Sequence, residues 1–363
     1  MRGIVWLVLL GILLVLAIIG EIRSPPTRKA TTEDIPPDPN TVARLERSVG
    51  QTSRLFILVH GFTPSEDRVA ATADLLKQYG DVLRIYYPAR GPSNVSPDAV
   101  CAAIADEIAA LPGIEKYTDV IFVAHSVGAL IARRTLLLGL GQGNERPAAW
   151  TTHINRMVLL AGTNRGWSLE GQKPVDLTTG KRLLWRFFEW LGRMTGSGSF
   201  ILSFRAGAPF VANLRIDWMN KMRELAKSKP IEVVQLLGDI DDIVSREDSE
   251  DLRVMASKNY AFLLVRGTGH GDMIEFYKNA KSEEERKLGE YREAKITLAA
   301  TGKFDEVLKE NEEQVFTTQS EIASVVFVLH GIRDLGRWSS GFETAIRGTV
   351  DHVAIVSARY GYL

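Results

Sequence analysis

The stretch Val120-Ile121-Phe122-Val123-Ala124-His125-Ser126-Val127-Gly128-Ala129-Leu130 decides the fold. It begins as a β-branched and aromatic run, typical of a buried strand, and passes into a helix-forming sequence that continues to Leu138. Ser126 therefore stands at the apex of a strand–turn–helix unit. In a nucleophile elbow the residues two before and two after the serine must be small, and Ala124 and Gly128 are. The alternative is an ordinary strand leading into a helix, since serine is common at helix starts.

Composition excludes several classes of protein. The chain of 363 residues is long enough for one large α/β domain with attachments, or for two domains. Its 44 basic and 44 acidic side chains give a net charge of zero, so no global field favours nucleic acid. The single cysteine, Cys101, excludes an internal disulfide framework and a cysteine-rich zinc site. It lies in an amphipathic pattern from Pro97 to Leu111, typical of a packed thiol.

Residues Gly3 to Gly20 carry no polar side chain and are preceded by Arg2. As a helix this segment rises about 27 Å, enough to cross a hydrocarbon core. A cleaved signal peptide is the alternative, but no good A-x-A-like cleavage site follows. We expect a single-pass membrane anchor over residues 1–23 and a linker over 24–51, with Pro25 to Asn40 as a tether. Basic residues after the span outnumber Arg2, which by the positive-inside bias favours a cytoplasmic catalytic part.

Nearly continuous apolar runs recur along the chain and predict strands buried on both faces. Helical patterns lie between them, such as Glu66 to Gly80 and Pro97 to Leu111. This alternation predicts a mostly parallel sheet that is covered by helices on both faces. The predicted strands are Arg54–Val59, Asp81–Tyr87, Asp119–Val123, Arg156–Ala161, Ile231–Leu237 and Tyr260–Val265.

The order of motifs carries a resemblance to a known family. The early strand ends in His60-Gly61-Phe62, the central strand delivers Ser126, and an aspartate cluster and then His270 follow later strands. This order resembles the α/β-hydrolase family over roughly Thr52 to Tyr277. The resemblance implies a doubly wound, mostly parallel sheet with catalytic residues at the carboxyl ends of its strands. We therefore expect a hydrolase domain over residues 52–280.

A serine hydroxyl becomes a nucleophile when a base takes its proton and a carboxylate orients that base. His270 follows the last predicted strand of the domain, and its flanking glycines let the loop bend back over the sheet. A surface-loop histidine is the alternative. The other five histidines are less suitable by position. His60 lies in the loop after the early strand, and His125 directly precedes the nucleophile and points away from it. His153 begins a strand, and His330 and His352 lie beyond the domain.

The loop from Gly238 to Val244 supplies the carboxylate. It looks like the family's G-x-x-D-x-x-V pattern, which implies Asp241 as the orienting acid. Asp242 is the second choice and Asp239 the third. A solvated or helix-capping loop would explain two of these acids without explaining the spacing.

The resemblance also implies an oxyanion hole formed by the backbone amides of Phe62 and Val127. His60 and Gly61 then shape the loop instead of transferring protons. Such a site needs no metal and no organic cofactor. Serine at position 126 disfavours the dehalogenase and epoxide hydrolase chemistries, which use an aspartate there in this family.

Residues 165–230 form a connection far longer than is typical between strands. Within it, Leu183 to Met194 has eight large apolar residues in twelve. Such an insertion resembles a helical cap over the acyl pocket, which suits lipid-like substrates and contact with a bilayer interface. The alternative is that its aromatic residues form the core of the inserted segment itself.

The charged stretch over residues 281–320 predicts a helical linker. Its two helices, Lys281 to Lys295 and Phe304 to Gln314, either pack across the sheet edge or link onward, and a solvated face is the default interpretation of the charge. A partial repeat follows. Ala323 to Asp334 has the same pattern as Arg54 to Phe62. An Ala-Arg pair follows His330 after 28 residues and His60 after 29 residues. We interpret residues 321–363 as an incomplete second hydrolase-like unit, with a chance likeness of two short strands as the alternative.

Three functions fit these features. The first is a membrane-tethered serine hydrolase that cleaves a carboxylic ester or thioester of a lipid-like substrate through an acyl-enzyme. The second is a degenerate hydrolase fold that acts as a membrane-bound interaction module, and the third is an acyltransferase that uses the same residues. The complete set of Ser126, Asp241 and His270 argues against degeneracy, whereas Ala124 and the incomplete repeat favour it. Labelling with a fluorophosphonate distinguishes the first two.

Overall fold

A computed structural model of the chain describes residues 37–310, with gaps at 51, 63–68, 90–92, 142–145, 168–198, 242, 245–247, 249–256, 277–279 and 281. Beyond these it describes 324–329, 345–346 and 353–358. The predicted anchor and the tether as far as residue 36 lie outside this part of the chain. The last four residues of the tether are described, and there Asp38 is buried and donates its N–H to the Ala99 carbonyl at 3.1 Å. Within the described part, no helix combines the length and the apolar character that crossing a membrane requires.

A seven-stranded sheet forms the centre of the molecule, in the order β1-β3-β2-β4-β5-β6-β7. Strand β1 is antiparallel to β3, and all other neighbours are parallel. The predicted parallel arrangement is thus confirmed. The strands are β1 (Val42–Glu46), β2 (Arg54–Val59), β3 (Asp81–Tyr86), β4 (Asp119–His125), β5 (Ile154–Leu160), β6 (Glu232–Gly238) and β7 (Tyr260–Val265).

Helices cover both faces of the sheet, as the continuous apolar runs require. Alternate residues of β4 show the two faces: Phe122 belongs to one apolar core and Val123 to the other. The described helices are α1 (Ala70–Leu76), α2 (Pro97–Ala109), α3 (Gly128–Gly139), α4 (Ser199–Ser203), α5 (Pro209–Leu225), α6 (Glu283–Thr301) and α7 (Phe304–Lys309). Short 3₁₀ helices lie at Ile114–Lys116, Ala149–His153, Ser257–Asn259 and Asp272–Ile274.

Strand β1 corrects the predicted linker over residues 24–51. It pairs with β3 from Val42 opposite Tyr86 to Glu46 opposite Val82. It is a half-exposed edge strand with charged residues, so it lacks the apolar run that marks the inner strands. Glu46 accepts a hydrogen bond from Arg84 at 3.0 Å, so an ion pair joins the edge strand to β3.

Helices α6 and α7 lie within the predicted linker over residues 281–320 and pack on the sheet, which is the first of the two arrangements left open above. On α6, Ile296, Ala299 and Ala300 are fully buried in the same apolar core as Leu76 of α1. Arg156 of β5 donates hydrogen bonds to the carbonyls of Ala299 and Gly302 at 2.8 and 2.9 Å. Alanines make a weak apolar signal beside many charges, which is why the sequence pattern suggested a solvated helix.

The described part of the long insertion packs as core. Phe200, Phe204 and Val211 are buried in the apolar core that also holds α3. Arg134 of α3 bridges Asp98 of α2 and Asp217 of α5, at 2.8 and 3.3 Å. Residues 199–225 therefore pack with the helices that cover the sheet. Trp185, Phe187, Phe188 and Trp190, on which the cap prediction chiefly rests, lie outside the described residues.

Beyond α7 the structure shows β8 (Ser324–Leu329) and β9 (Val353–Ala358), which pair in parallel as a two-stranded sheet. Strands β2 and β3 pair in parallel in the same way. A second hydrolase-like unit over residues 321–363 remains a prediction, because most of its residues are not described.

Candidate active site

Ser126 occupies the turn between β4 and α3 with a φ of 55°. This is the left-handed region, which non-glycine residues rarely adopt, so the tight turn holds the serine in a strained conformation. Gly128 is required two residues later, since a Cβ there would lie 2.4 Å from the carbonyl oxygen of His60. The sequence therefore forms a sharp elbow that presents the serine at the carboxyl end of the sheet.

His270 reaches Ser126 from the loop after β7. Its Nε2 lies 2.8 Å from the Ser126 Oγ. Gly267, with a φ of +60°, turns the chain just after the strand, and His270 is 8% exposed. The distance allows the hydroxyl to donate its proton to Nε2, which is the first requirement for nucleophilic catalysis.

Asp241 completes a line of three side chains. Its Oδ2 lies 3.1 Å from the Nδ1 of His270. Its Oδ1 accepts the backbone N–H groups of Ile243 and Val244, both at 2.8 Å. Because one oxygen is fixed by main-chain donors, the other faces the imidazole in a defined direction. A carboxylate so placed keeps the proton on Nδ1 and leaves Nε2 free to accept one from serine.

The other acids of this loop differ in position. Asp239 is exposed, and its Oδ1 accepts the N–H of Thr268 at 3.3 Å, so it ties together the loops after β6 and β7. Asp242, the second choice, lies outside the described residues. The structure thus brings Asp241 to His270 and leaves Asp239 in a structural contact.

Two more histidines lie beside the site without entering the line. His125 approaches the main chain of His270, with 3.2 Å between its Nε2 and that carbonyl oxygen. His60 is buried, and its ring stacks on Tyr87 with centroids 4.1 Å apart. His153 ends a 3₁₀ helix at the opposite, amino end of β5. His330 and His352 lie outside the described residues.

The predicted oxyanion donors border the serine. Val127 directly follows it as the cap of α3, and Phe62 follows Gly61, where a Cβ would lie 2.7 Å from the Ser126 Cβ. Within the described ranges, the amides of Phe62 and Val127 have no hydrogen-bond partner. Two such N–H groups beside the nucleophile can stabilise an oxyanion. The same ranges contain no group of three metal-ligating side chains.

Asp248, which no motif marks in the sequence, binds the loop after β5 that contacts the nucleophile's main chain. Its carboxylate accepts the N–H of Asn164 and, at 2.8 Å, that of Arg165. The adjacent Thr163 N–H donates to the Ser126 carbonyl at 3.2 Å. Burial raises the pKa of Asp248 to about 6, although the two amide donors act against this rise. The contact joins two loops that are distant in sequence, so only the folded chain reveals it.

Comparison with known proteins places this site in a family context. The sequence model described as the alpha/beta hydrolase family matches residues 56–278. No curated protein matches the chain.

Similar solved structures include a lipase-esterase related protein from Clostridium acetobutylicum, with 13% identity and a TM-score of 0.42 over 65% of this chain and 94% of that one. Another is the monoacylglycerol lipase of Paleococcus ferrophilus, with 16% identity and a TM-score of 0.41 over 70% and 98%. A third is an esterase from Rhodococcus sp., with 18% identity and a TM-score of 0.40 over 69% and 93%. The family match includes Ser126, Asp241 and His270.

Proposed function

Because the chain belongs to the α/β-hydrolase family, we propose that it is a serine hydrolase that cleaves a carboxylic ester or thioester. The observation that carries this proposal is the continuous line from Ser126 Oγ to His270 Nε2 at 2.8 Å and from His270 Nδ1 to Asp241 Oδ2 at 3.1 Å. The serine stands on a strained turn, and all three groups lie at the carboxyl ends of parallel strands.

In the proposed reaction, the Ser126 Oγ attacks the carbonyl carbon of the substrate while its proton passes to the Nε2 of His270. The carbonyl oxygen becomes an oxyanion that accepts hydrogen bonds from the amides of Phe62 and Val127. Collapse of this intermediate breaks the bond to the alcohol or thiol, which leaves with the proton from His270. Water then attacks the acyl-enzyme by the same steps, which releases the acid and restores the serine.

The decisive experiment is labelling with a fluorophosphonate, followed by intact mass measurement. We expect wild-type protein to gain one adduct and to hydrolyse 4-nitrophenyl butyrate. Ser126→Ala loses both activities because no other group holds the Ser126 position in the line to His270. Ser228→Ala, at an exposed position after α5, serves as the matched control and keeps both. If Ser126→Ala retained most of the activity, the nucleophile would be wrong.

We further propose a lipid-like acyl substrate and attachment to a membrane. The apolar sequences of Leu183 to Met194 and Gly3 to Gly20 support these two points, and both lie outside the described residues. Burial of a long acyl chain against aromatic side chains would stabilise the bound ester by about 0.8 kcal/mol per methylene.

The triple change of Trp185, Phe188 and Trp190 to serine tests the substrate class. We expect the ratio of kcat/KM for a C12 over a C4 nitrophenyl ester to fall by at least tenfold, because apolar contacts to the chain are lost. The control is the same triple change to leucine, which keeps the apolar character. An unchanged ratio in the serine variant would favour core packing of these residues instead.

A further inference from the structure

Tyr87 is a buried tyrosine that the proposed reaction does not use. It follows β3 directly and is only 5% exposed. Its ring lies nearly parallel to that of His60, with an interplanar angle of 9°, and Phe200 of α4 packs against it with centroids 6.1 Å apart. Its hydroxyl donates a hydrogen bond to the carbonyl oxygen of the same His60. One side chain thus restrains both the ring and the main chain of a single residue.

His60 in turn restrains the next peptide group. Its Nδ1 lies 2.7 Å from the carbonyl oxygen of Gly61. A carbonyl oxygen only accepts, so Nδ1 carries the proton of this hydrogen bond. The Gly61 carbonyl and the Phe62 N–H belong to one planar trans peptide, in which the two bonds point in opposite directions. A hydrogen bond that fixes the Gly61 carbonyl therefore fixes the direction of the Phe62 N–H.

The loop of His60 and Gly61 packs closely against both Ser126 and the start of α3. A Cβ at Gly61 would lie 2.7 Å from the Ser126 Cβ, and a Cβ at Gly128 would lie 2.4 Å from the His60 carbonyl oxygen. The carbonyl that accepts from Tyr87 thus sits against the first residue of α3. A small displacement of His60 would be transmitted to the Ser126 turn, because a close-packed interior has no room to absorb it.

We propose that Tyr87 is a positioning residue for the oxyanion hole, and that it acts through His60 on the Gly61–Phe62 peptide. This inference rests on the proposed serine hydrolase function. Tyr87 touches no reacting atom; it holds the donor in the direction that the tetrahedral intermediate requires. Burial raises the pKa of the Tyr87 hydroxyl, so the group stays a donor throughout the neutral range. Loss of this hydrogen bond should therefore lower the rate by the same factor throughout that range.

Tyr87→Phe removes the hydroxyl and keeps the stacked ring. We expect kcat for 4-nitrophenyl butyrate to fall about tenfold, less than the loss of a whole oxyanion donor, with KM unchanged. Affinity for a trifluoromethyl ketone, whose adduct with Ser126 carries an oxyanion, should weaken by the same factor. The midpoint of the pH–rate profile should not move. The matched control is Tyr86→Phe, since Tyr86 is the preceding tyrosine and faces Arg44 and Arg84.

A second pair of variants keeps the test informative if Tyr87→Phe is unstable. His60→Asn retains a side-chain donor near the Nδ1 position, whereas His60→Ala does not. We expect the asparagine variant to keep a larger part of kcat and of ketone affinity than the alanine variant at equal thermal stability. Wild-type kcat and ketone affinity in Tyr87→Phe, or equal losses in both His60 variants, would overturn the proposal. Wild-type protein that never reacts with a fluorophosphonate would instead overturn the proposed function on which it rests.

Discussion

At the scale of single residues, Asp241 gives the sharpest prediction. Asp241→Asn replaces the oxygen that faces His270 with an amide that can donate to Nδ1, which forces the imidazole proton onto Nε2. That tautomer cannot accept the proton of Ser126, so we expect kcat to fall on the order of 10³- to 10⁴-fold. Steady-state hydrolysis of 4-nitrophenyl butyrate measures the effect.

The control for Asp241 is Asp239→Asn in the same loop. An asparagine there still accepts from the Thr268 amide, so kcat should stay close to that of the wild type. The opposite ranking of the two variants would show that the orienting acid is wrong.

Sequence reasoning reaches some of these residues and not others. Ser126 and His270 could be predicted because each follows a strand with a recognisable pattern, and parallel strands bring their carboxyl ends together. Asp248 and Tyr87 could not. Each acts on a main-chain group of a loop that is far away in sequence, and no residue pattern records that contact.

At the scale of secondary structure, Asp81 at the start of β3 binds the segment after the edge strand β1. Its carboxylate accepts from the Ser48 amide at 2.7 Å, from Tyr117 at 2.7 Å and from Arg47 at 2.8 Å. Burial alone would raise the pKa of Asp81, but these hydrogen bonds outweigh it and hold the pKa below the ordinary value of 3.8. The ionised carboxylate therefore stabilises the folded state above about pH 4, and this contribution is lost as the pH falls through the lowered pKa.

Asp81→Asn should therefore lower the free energy of unfolding by about 1–3 kcal/mol at pH 7, and by less as the pH approaches 3. Urea unfolding of wild type and variant at both pH values measures this. Asp74→Asn is the control, since that side chain is 53% exposed and pairs with Lys77 at 3.8 Å on the surface of α1. A difference that does not shrink in acid would contradict the role of the ionised carboxylate.

The elements that were predicted well and poorly differ in how they are stabilised. Strands β2 and β7 have the predicted bounds, because burial on both faces demands a continuous apolar run. Strand β1 has one neighbour and charged residues, and α6 buries mainly small residues. Neither produces a strong periodic signal, so the sequence pattern does not mark β1 as a strand and leaves open whether α6 packs on the sheet.

At the scale of the whole molecule, the N-terminal boundary of the folded unit lies before β1. Deleting residues 1–36 removes the predicted membrane span and keeps β1, so we expect a protein that leaves the membrane fraction and retains activity on soluble esters. Deleting residues 1–51 also removes β1 and the Arg47 and Ser48 donors to Asp81, and should lower the thermal midpoint. Equal stability of the two proteins would show that β1 contributes little. A full-length chain that fractionates as soluble would contradict the anchor.

The C-terminal boundary depends on α6. Truncation after Gln319 keeps α6 and α7, and we expect the product to react with a fluorophosphonate at the wild-type rate. Truncation after Ala280 removes Ile296, Ala299, Ala300 and Val307, all fully buried, and uncovers the face of β5 and β7 on which α6 packs. Each large apolar side chain exposed in this way costs about 1.5–3 kcal/mol, and a domain is stable by only about 5–15 kcal/mol in total. The shorter product should therefore aggregate or fail to react, as judged by size-exclusion chromatography and labelling. If residues 1–280 alone were monomeric and reacted normally, α6 would be the dispensable linker that its charged sequence suggests.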